Sequence, residues 1–206
     1  MFTDRSEAGN MLGLRLGLAK TKCDYIFGIT RGGIVIAQAI ARILEKPLFP
    51  LVVKKVSLPG NPELALGAVT YDKVRVSEDD LINRFHLQDK EVSQLFNLKY
   101  SQVIELKNRL GVGKLPSLTN KNIIVTDDGV ATGATVRAAG LYLVKKKVKT
   151  LHLAVPVIAR ETYLQLSSLY NKITALKITD QFFAVGQFYK SFPQVDENEI
   201  IRILKI

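Results

Sequence analysis

The chain has 206 residues, 47% apolar and 23% charged, the balance of an ordinary globular protein, which excludes disordered, collagen-like and coiled-coil classes. Cys23 is the only cysteine, so a disulfide scaffold is excluded as well. Twenty-nine Lys and Arg against 19 Asp and Glu leave a net charge of +10, which attracts anions: nucleic acid, an acidic membrane face or phosphorylated metabolites.

Residues 4–19 carry a helical pattern with a capping pair, Asp4 and Glu7. An apolar strand follows at 24–29, then the turn Thr30-Arg31-Gly32-Gly33, then a helix to about residue 44. The stripe of that helix is Ile36, Ile40, Ile43 and Leu44. Residues 47–56 form a second strand candidate, which completes a βαβ unit. Residues 57–72 break the regularity with Pro59-Gly60-Asn61-Pro62, and 65–71 return as a strand, so an antiparallel excursion or a flexible flap fits. Ser77 and Asp80 mark another helix start. A long amphipathic helix occupies 89–110, with Val92, Leu95, Phe96, Val103, Leu106 and Leu110 on one face, and Gly111 and Gly113 end it. Strands at 122–126, 150–157 and 173–178 then alternate with helices ending near 144 and spanning 160–170. A tail segment at 182–189 and a helix from Asp196 close the chain. This alternation predicts a single α/β domain over 1–206: a doubly wound, mainly parallel sheet, a flap at 57–72 and a small C-terminal hood at 179–206. Ligands in such sheets sit at the carboxyl ends of strands, where both Gly-turns lie.

No basic stretch followed by an apolar one opens the chain, and no apolar run approaches the ~18 residues of a membrane span. A cytoplasmic protein without membrane contact is expected. His86 and His152 lie far apart, and with one cysteine no zinc-type ligand cluster forms. Cys23 reads as a packed core residue and His152 as packed or paired within a strand.

The informative run is Ile123-Ile124-Val125-Thr126-Asp127-Asp128-Gly129-Val130-Ala131-Thr132-Gly133-Ala134-Thr135. A buried strand ends in two adjacent carboxylates, and a loop of small residues and hydroxyls then opens a helix. Backbone N–H groups in such a loop form an anion nest, and the helix dipole adds positive charge. Gly133 lets the backbone approach a phosphate, while Thr132 and Thr135 offer hydroxyl donors. The two acids repel phosphate but suit sugar hydroxyls. Asp-Asp-Gly alone reads as a plain turn; the whole run reverses that and points to ribose on the acids and a 5′-phosphate on the loop. No Gly-Lys-Ser/Thr ending is present, so this is not a Walker loop.

The run resembles the signature of the type I phosphoribosyltransferase family. The resemblance implies binding of 5-phosphoribosyl-1-diphosphate (PRPP) with Mg²⁺, held mainly through PRPP and not by direct protein ligands. It implies transfer of the phosphoribosyl group to a small nucleobase-like acceptor with release of pyrophosphate, a glycosyl transfer of nucleotide metabolism. Asp127 and Asp128 would hold the ribose hydroxyls; Ala131, Thr132, Gly133, Ala134 and Thr135 would cradle the 5′-phosphate. By the same resemblance Thr30, Arg31, Gly32 and Gly33 bind pyrophosphate through backbone N–H groups, although relatives carry Pro where Thr30 stands. The basic pair of the family falls on Lys54 and Lys55, with Lys54 assigned to pyrophosphate and Lys55 to catalysis. Lys in place of Arg keeps charge and loses the bidentate fork, and a solvated strand end is the plain alternative. Residues 56–69 resemble a bacterial branch of the family in which this segment stands in place of the mobile loop over the site. Closure there would exclude water. Glu63 is a candidate substrate contact or an exposed turn residue.

Phe183-Ala184-Val185-Gly186 is similar to the 6-oxopurine branch, where an aromatic ring covers the base. Phe183 is the base-stacking candidate and Phe182 the second; both are equally candidate core aromatics. The acid that hypoxanthine-guanine enzymes place inside the phosphate loop is Ala131 here, and the acid of their tail is Lys190. The acceptor therefore does not transfer with the fold. Lys145-Lys146-Lys147-Val148-Lys149 suits a helix C-terminus, where cations complement the dipole, without the interleaved aromatics of a nucleic-acid patch. A homo-oligomer, a dimer, is expected. The alternative function is a PRPP-binding regulator that contacts RNA or DNA through a basic face.

Overall fold

The structure, a computed structural model, describes residues 1–205, with the backbone alone at Pro62 and Glu63. Helix α1 (Arg5–Leu18) is capped by Asp4, whose side chain accepts from the Glu7 N–H at 2.8 Å. The Glu7 carboxylate reaches back to the Thr3 N–H, one residue before the cap. Strand β1 (Tyr25–Ile29), helix α2 (Gly33–Leu44) and strand β2 (Leu48–Leu51) form the βαβ unit, with Gly28 beside Pro50 in the parallel ladder. Pro50 lacks an N–H, which suits β2 to the sheet edge it occupies.

The strand expected over 47–56 is two strands. The chain turns at Val52, and β3 (Val53–Leu58) enters a separate antiparallel sheet with β4 (Asn61–Thr70) and β5 (Arg75–Ser77). The expected flap at 57–72 falls on the end of β3, on β4 and on the short turn that follows it. Ala65, Leu66, Ala68, Val69, Thr70 and Tyr71 are buried, because the apolar run of β4 packs into the core. Among the described residues of this span, only Pro59 and Gly60 of the turn, Asn61 and the later Asp72 are exposed. The side chain of Glu63 lies outside the described residues.

Helix α3 (Asp79–Arg84) starts after Glu78, and α4 (Asp89–Arg109) buries Phe96, Val103 and Leu106. Then follow β6 (Asn122–Thr126), α5 (Ala134–Lys145), β7 (Thr150–Ala159), α6 (Arg160–Leu166), β8 (Lys172–Thr179) and α7 (Glu197–Leu204). Helix α6 stops four residues short of the expected end at 170. The main sheet is parallel throughout, in the order β2-β1-β6-β7-β8. Its central strands β1, β6 and β7 are buried on both faces, as their continuous apolar runs require, while the edge strand β8 is only partly covered. Phe27, Ile123 and Val125 face one core with α5 and the antiparallel sheet; Ile26 and Ile124 face the other with Leu12, Leu16, Ile36 and Ile40 of α1 and α2.

Strand order reverses between β1 and β6, the switch point at which doubly wound sheets bind ligands. Both Gly-turns leave from these two strands. Beyond β8, the hood is an aromatic cluster: Phe182 lies 5.0 Å from Phe188, and Tyr189 packs on Phe2 and Phe192. The N-terminus joins it, with Phe2 N–H donating to Phe188 O and Lys190 N–H to Phe2 O, each at 2.8 Å.

His152 is buried, with Nε2 2.9 Å from Thr174 Oγ1, and Cys23 Sγ donates to Tyr25 O at 3.3 Å. Helix α5 ends at Lys145, and Lys146 pairs with Asp72 over the Tyr142 ring. Among the described residues no helix is long and apolar enough to cross a membrane.

Candidate active site

The ladder that sets Gly28 beside Thr126 brings the loops after β1 and β6 into contact. A Cβ on Gly33 would lie 2.7 Å from Thr126 O and 2.9 Å from Asp127 Cα. One on Gly32 would lie 1.8 Å from Asp128 Oδ2. Only glycine permits this approach, which explains the Gly pair more specifically than a tight turn does. The Thr30–Arg31 peptide is cis. The Thr30 hydroxyl oxygen is buried and has no hydrogen-bond partner among the described residues.

Asp127 Oδ1 accepts from the Asp128 N–H at 2.9 Å. Asp128 Oδ2 accepts from Arg5 Nε at 2.8 Å, and its backbone carbonyl accepts from the Tyr189 hydroxyl at 2.6 Å. Burial pushes the Asp127 carboxyl well above the usual range, and the neighbouring Asp128 charge adds to this. Burial also raises Asp128, against the opposing hydrogen bond and charge of Arg5. Both carboxyls are therefore harder to ionise than exposed ones, and any further cation or hydrogen-bond donor would favour their charged forms.

Residues 129–135 line a cavity of about 490 Å³ together with Lys55, Ala159, Glu161, Thr162, Phe182, Phe183 and Val185. Gly133 sits at φ +78°, the left-handed conformation that turns the loop into α5. No side chain caps α5 or α2, and neither first turn holds an acid, so both helix starts present positive dipole ends at the site. Thr162 Oγ1 donates to Ala131 O and fixes the loop against α6. Phe183 is 89% exposed at the cavity wall, whereas Phe182 packs against Phe188 in the hood. Of the two aromatic candidates, Phe183 therefore has a free ring face.

Lys54 and Lys55 do not act side by side at a strand end. They are neighbours within β3 and serve opposite faces. Lys55 lines the cavity. Lys54 is held below its usual range by burial and by the cations Arg31, Lys99 and Arg109, partly offset by Glu197. Arg31 lies 3.7 Å from Glu197, which also takes Arg109 Nε at 2.7 Å. Arg31 and Lys54 thus share one electrostatic neighbourhood beside the first loop, and Lys55 belongs to the second.

Sequence reasoning did not single out Arg5, Tyr189, Glu161 or Thr162. Arg5 leaves a signal: it precedes Ala8, Leu12 and Leu16 on the buried stripe of α1, where a cation is out of place. The other three depend on packing between distant elements and leave none.

A family model for the phosphoribosyl transferase domain matches residues 8–190. Two Mycobacterium tuberculosis proteins, from strains CDC 1551 and H37Rv, carry a provisional phosphoribosyl transferase name. Each is 34% identical over 209 residues, covering 99% of this chain and 46% of the relative, so the chain spans about half the length of these curated relatives. The crystal structure of TT1426 from Thermus thermophilus has a TM-score of 0.81 and 29% identity, covering 99% of this chain and 97% of that one. The purine phosphoribosyltransferase of Pyrococcus horikoshii has a TM-score of 0.51 at 18% identity, covering 95% and 96% respectively, a likeness of fold alone. A domain match over most of the length, on a sheet of this order, means that the chain belongs to the phosphoribosyltransferase family and has the fold of its type I members.

Proposed function

We propose that the chain transfers the phosphoribosyl group of PRPP to a nucleobase-like acceptor and releases pyrophosphate. The observation that carries this reading is the meeting of two uncapped helix starts around the Asp127–Asp128 pair at the switch point. In this reading the 5′-phosphate lies on residues 131–135, with Thr132 and Thr135 as hydroxyl donors. The ribose hydroxyls donate to Asp127 and Asp128. Pyrophosphate lies on Thr30 to Gly33, beside Arg31 and Lys54, where the unpartnered Thr30 hydroxyl offers a further donor. The acceptor ring lies against Phe183.

Departure of pyrophosphate leaves positive character on the anomeric carbon. The two acids, as carboxylates beside the ribose, favour that charge. Loop N–H groups and the cations Arg31, Lys54 and Lys55 stabilise the leaving group. Among the described residues no group of three or more His, Cys, Asp or Glu could hold a metal. Mg²⁺ held mainly through PRPP, as the family resemblance implies, would come beside Asp127 and Asp128 and would supply positive charge to the departing group.

The test is pyrophosphate release from Mg²⁺-PRPP across a panel of purine and pyrimidine bases. Release with one class of acceptor, lost in Asp128→Asn, is expected. PRPP binding without turnover over the whole panel, together with salt-sensitive nucleic-acid binding, would replace the transferase with the regulator.

A further inference from the structure

Arg5 is the most buried cation at the site, 8% exposed, and no motif accounts for it. It sits in the first turn of α1, where the helix dipole favours acids. A charge removed from water against a dipole persists only where other partners hold it. Arg5 has three. Its Nε donates to Asp128 Oδ2 at 2.8 Å, its Nη1 donates to Pro193 O at 2.7 Å, and its guanidinium lies 3.7 Å from the centre of the Phe192 ring. One planar group therefore joins α1, the loop after β6 and the hood. The Tyr189 hydroxyl on Asp128 O fixes the same residue from the hood side. Gly32 leaves room for this pairing, since a Cβ there would lie 2.8 Å from Arg5 Nε.

We propose that Arg5 is a positioning residue for the ribose site. It takes Oδ2 of Asp128, sets the direction of the carboxylate and leaves Oδ1 to the ligand. The N-terminal segment is then part of the site and not an outlying helix. A hood clamp alone would need only the Pro193 and Phe192 contacts; the bond to Asp128 ties the clamp to the acid that meets ribose. This inference rests on the reading of Asp128 as a ribose ligand.

The test is calorimetric titration of Mg²⁺-PRPP, and separately of Mg²⁺-pyrophosphate, into wild type, Arg5→Met, Arg5→Lys, Asp128→Asn and the Arg5→Met/Asp128→Asn double variant. Circular dichroism and thermal unfolding without ligand establish that each is folded. Removing one charge-assisted bond is expected to weaken PRPP binding about ten- to a hundredfold in Arg5→Met. Arg5→Lys should fall between it and wild type. In the Asp128→Asn background the same change should cost less than about threefold, because the two act as a unit. Pyrophosphate, which does not reach Asp128, should bind Arg5→Met as it binds wild type. Equal losses in both backgrounds, or a matching loss for pyrophosphate, would reduce Arg5 to a structural clamp. Unchanged PRPP affinity in Arg5→Met would remove it from the site. Absence of PRPP binding by folded wild type would instead overturn the ribose assignment, and the inference with it. If Arg5→Met fails to fold, Arg5→Lys carries the same comparison.

Discussion

Gly32→Ala adds one methyl group where the structure has no room. The new Cβ would stand 1.8 Å from Asp128 Oδ2, 2.6 Å from its Cγ and 2.8 Å from Arg5 Nε. The backbone at Gly32 is right-handed, φ −63° and ψ −32°, so alanine suffers no conformational strain and the whole effect is contact. To reach even a tight 3 Å separation the carboxylate must move by about 1 Å or more, which breaks the 2.8 Å bond to Arg5. Arg5 then stays buried without its counter-charge. Breaking a buried pair in this way costs about 3–5 kcal/mol, a large part of the ~5–15 kcal/mol that holds a domain together. Gly113→Ala is the matched control. Nothing lies within 4 Å of its added Cβ, and the unfolded chain loses entropy, so stability should be unchanged or rise by up to about 1 kcal/mol. Urea unfolding of both variants, with and without Mg²⁺-PRPP, measures the difference. If Gly32→Ala matches Gly113→Ala in stability and retains the ligand-induced gain, the contact between the loops is not as described.

Phe183→Ala removes a ring that is 89% exposed, so stability should stay within about 0.5 kcal/mol of wild type. Loss of a stacking face worth about 1–3 kcal/mol should raise the acceptor KM about five- to a hundredfold. By contrast Phe188→Ala, at 6% exposure, should cost about 3–5 kcal/mol by chemical denaturation. Were Phe183→Ala to destabilise the fold and leave the acceptor KM alone, its ring would be a packing residue. His152 gives a pH prediction. Burial lowers its folded pKa from 6.5 to about 4, so between these values the unfolded chain binds the extra proton. Its contribution is fully present above about pH 6.5 and is lost as the pH falls towards 4, to a total of about 3 kcal/mol. Unfolding of His152→Gln and wild type at pH 7.5 and pH 4.5 should show the wild type losing more; equal losses would mean that His152 is not held neutral.

What the sequence revealed was local. Strand β6 and the glycine loop after it lie within one continuous run of residues, so their chemistry is visible without the fold. The parallel sheet followed from strands alternating with helices, and α4 from one uninterrupted apolar stripe. What stayed hidden depended on which surface an apolar segment meets. Residues 47–56 form one apolar stretch in sequence, yet the turn at Val52 delivers its halves to two sheets. Once the second half is a strand of its own, its alternation sends Lys54 and Lys55 to opposite faces of β3. Residues 65–71 were visible as a strand, but their burial required the packing of α4 and α5. Phe182 and Phe183 differ only in which way the hood turns them. Arg5 meets Asp128 across 123 residues, and its one local trace is a charge on an apolar stripe.

The central claim is that the loops after β1 and β6 form one PRPP site around Asp127 and Asp128. Titration of Mg²⁺-PRPP into wild type and the Asp127→Asn and Asp128→Asn variants tests it most directly. One site per chain is predicted, with affinity reduced at least about tenfold in each folded variant, since each loses a charge-assisted acceptor for a ribose hydroxyl. No binding by wild type, or equal affinity in all three proteins, would contradict the account.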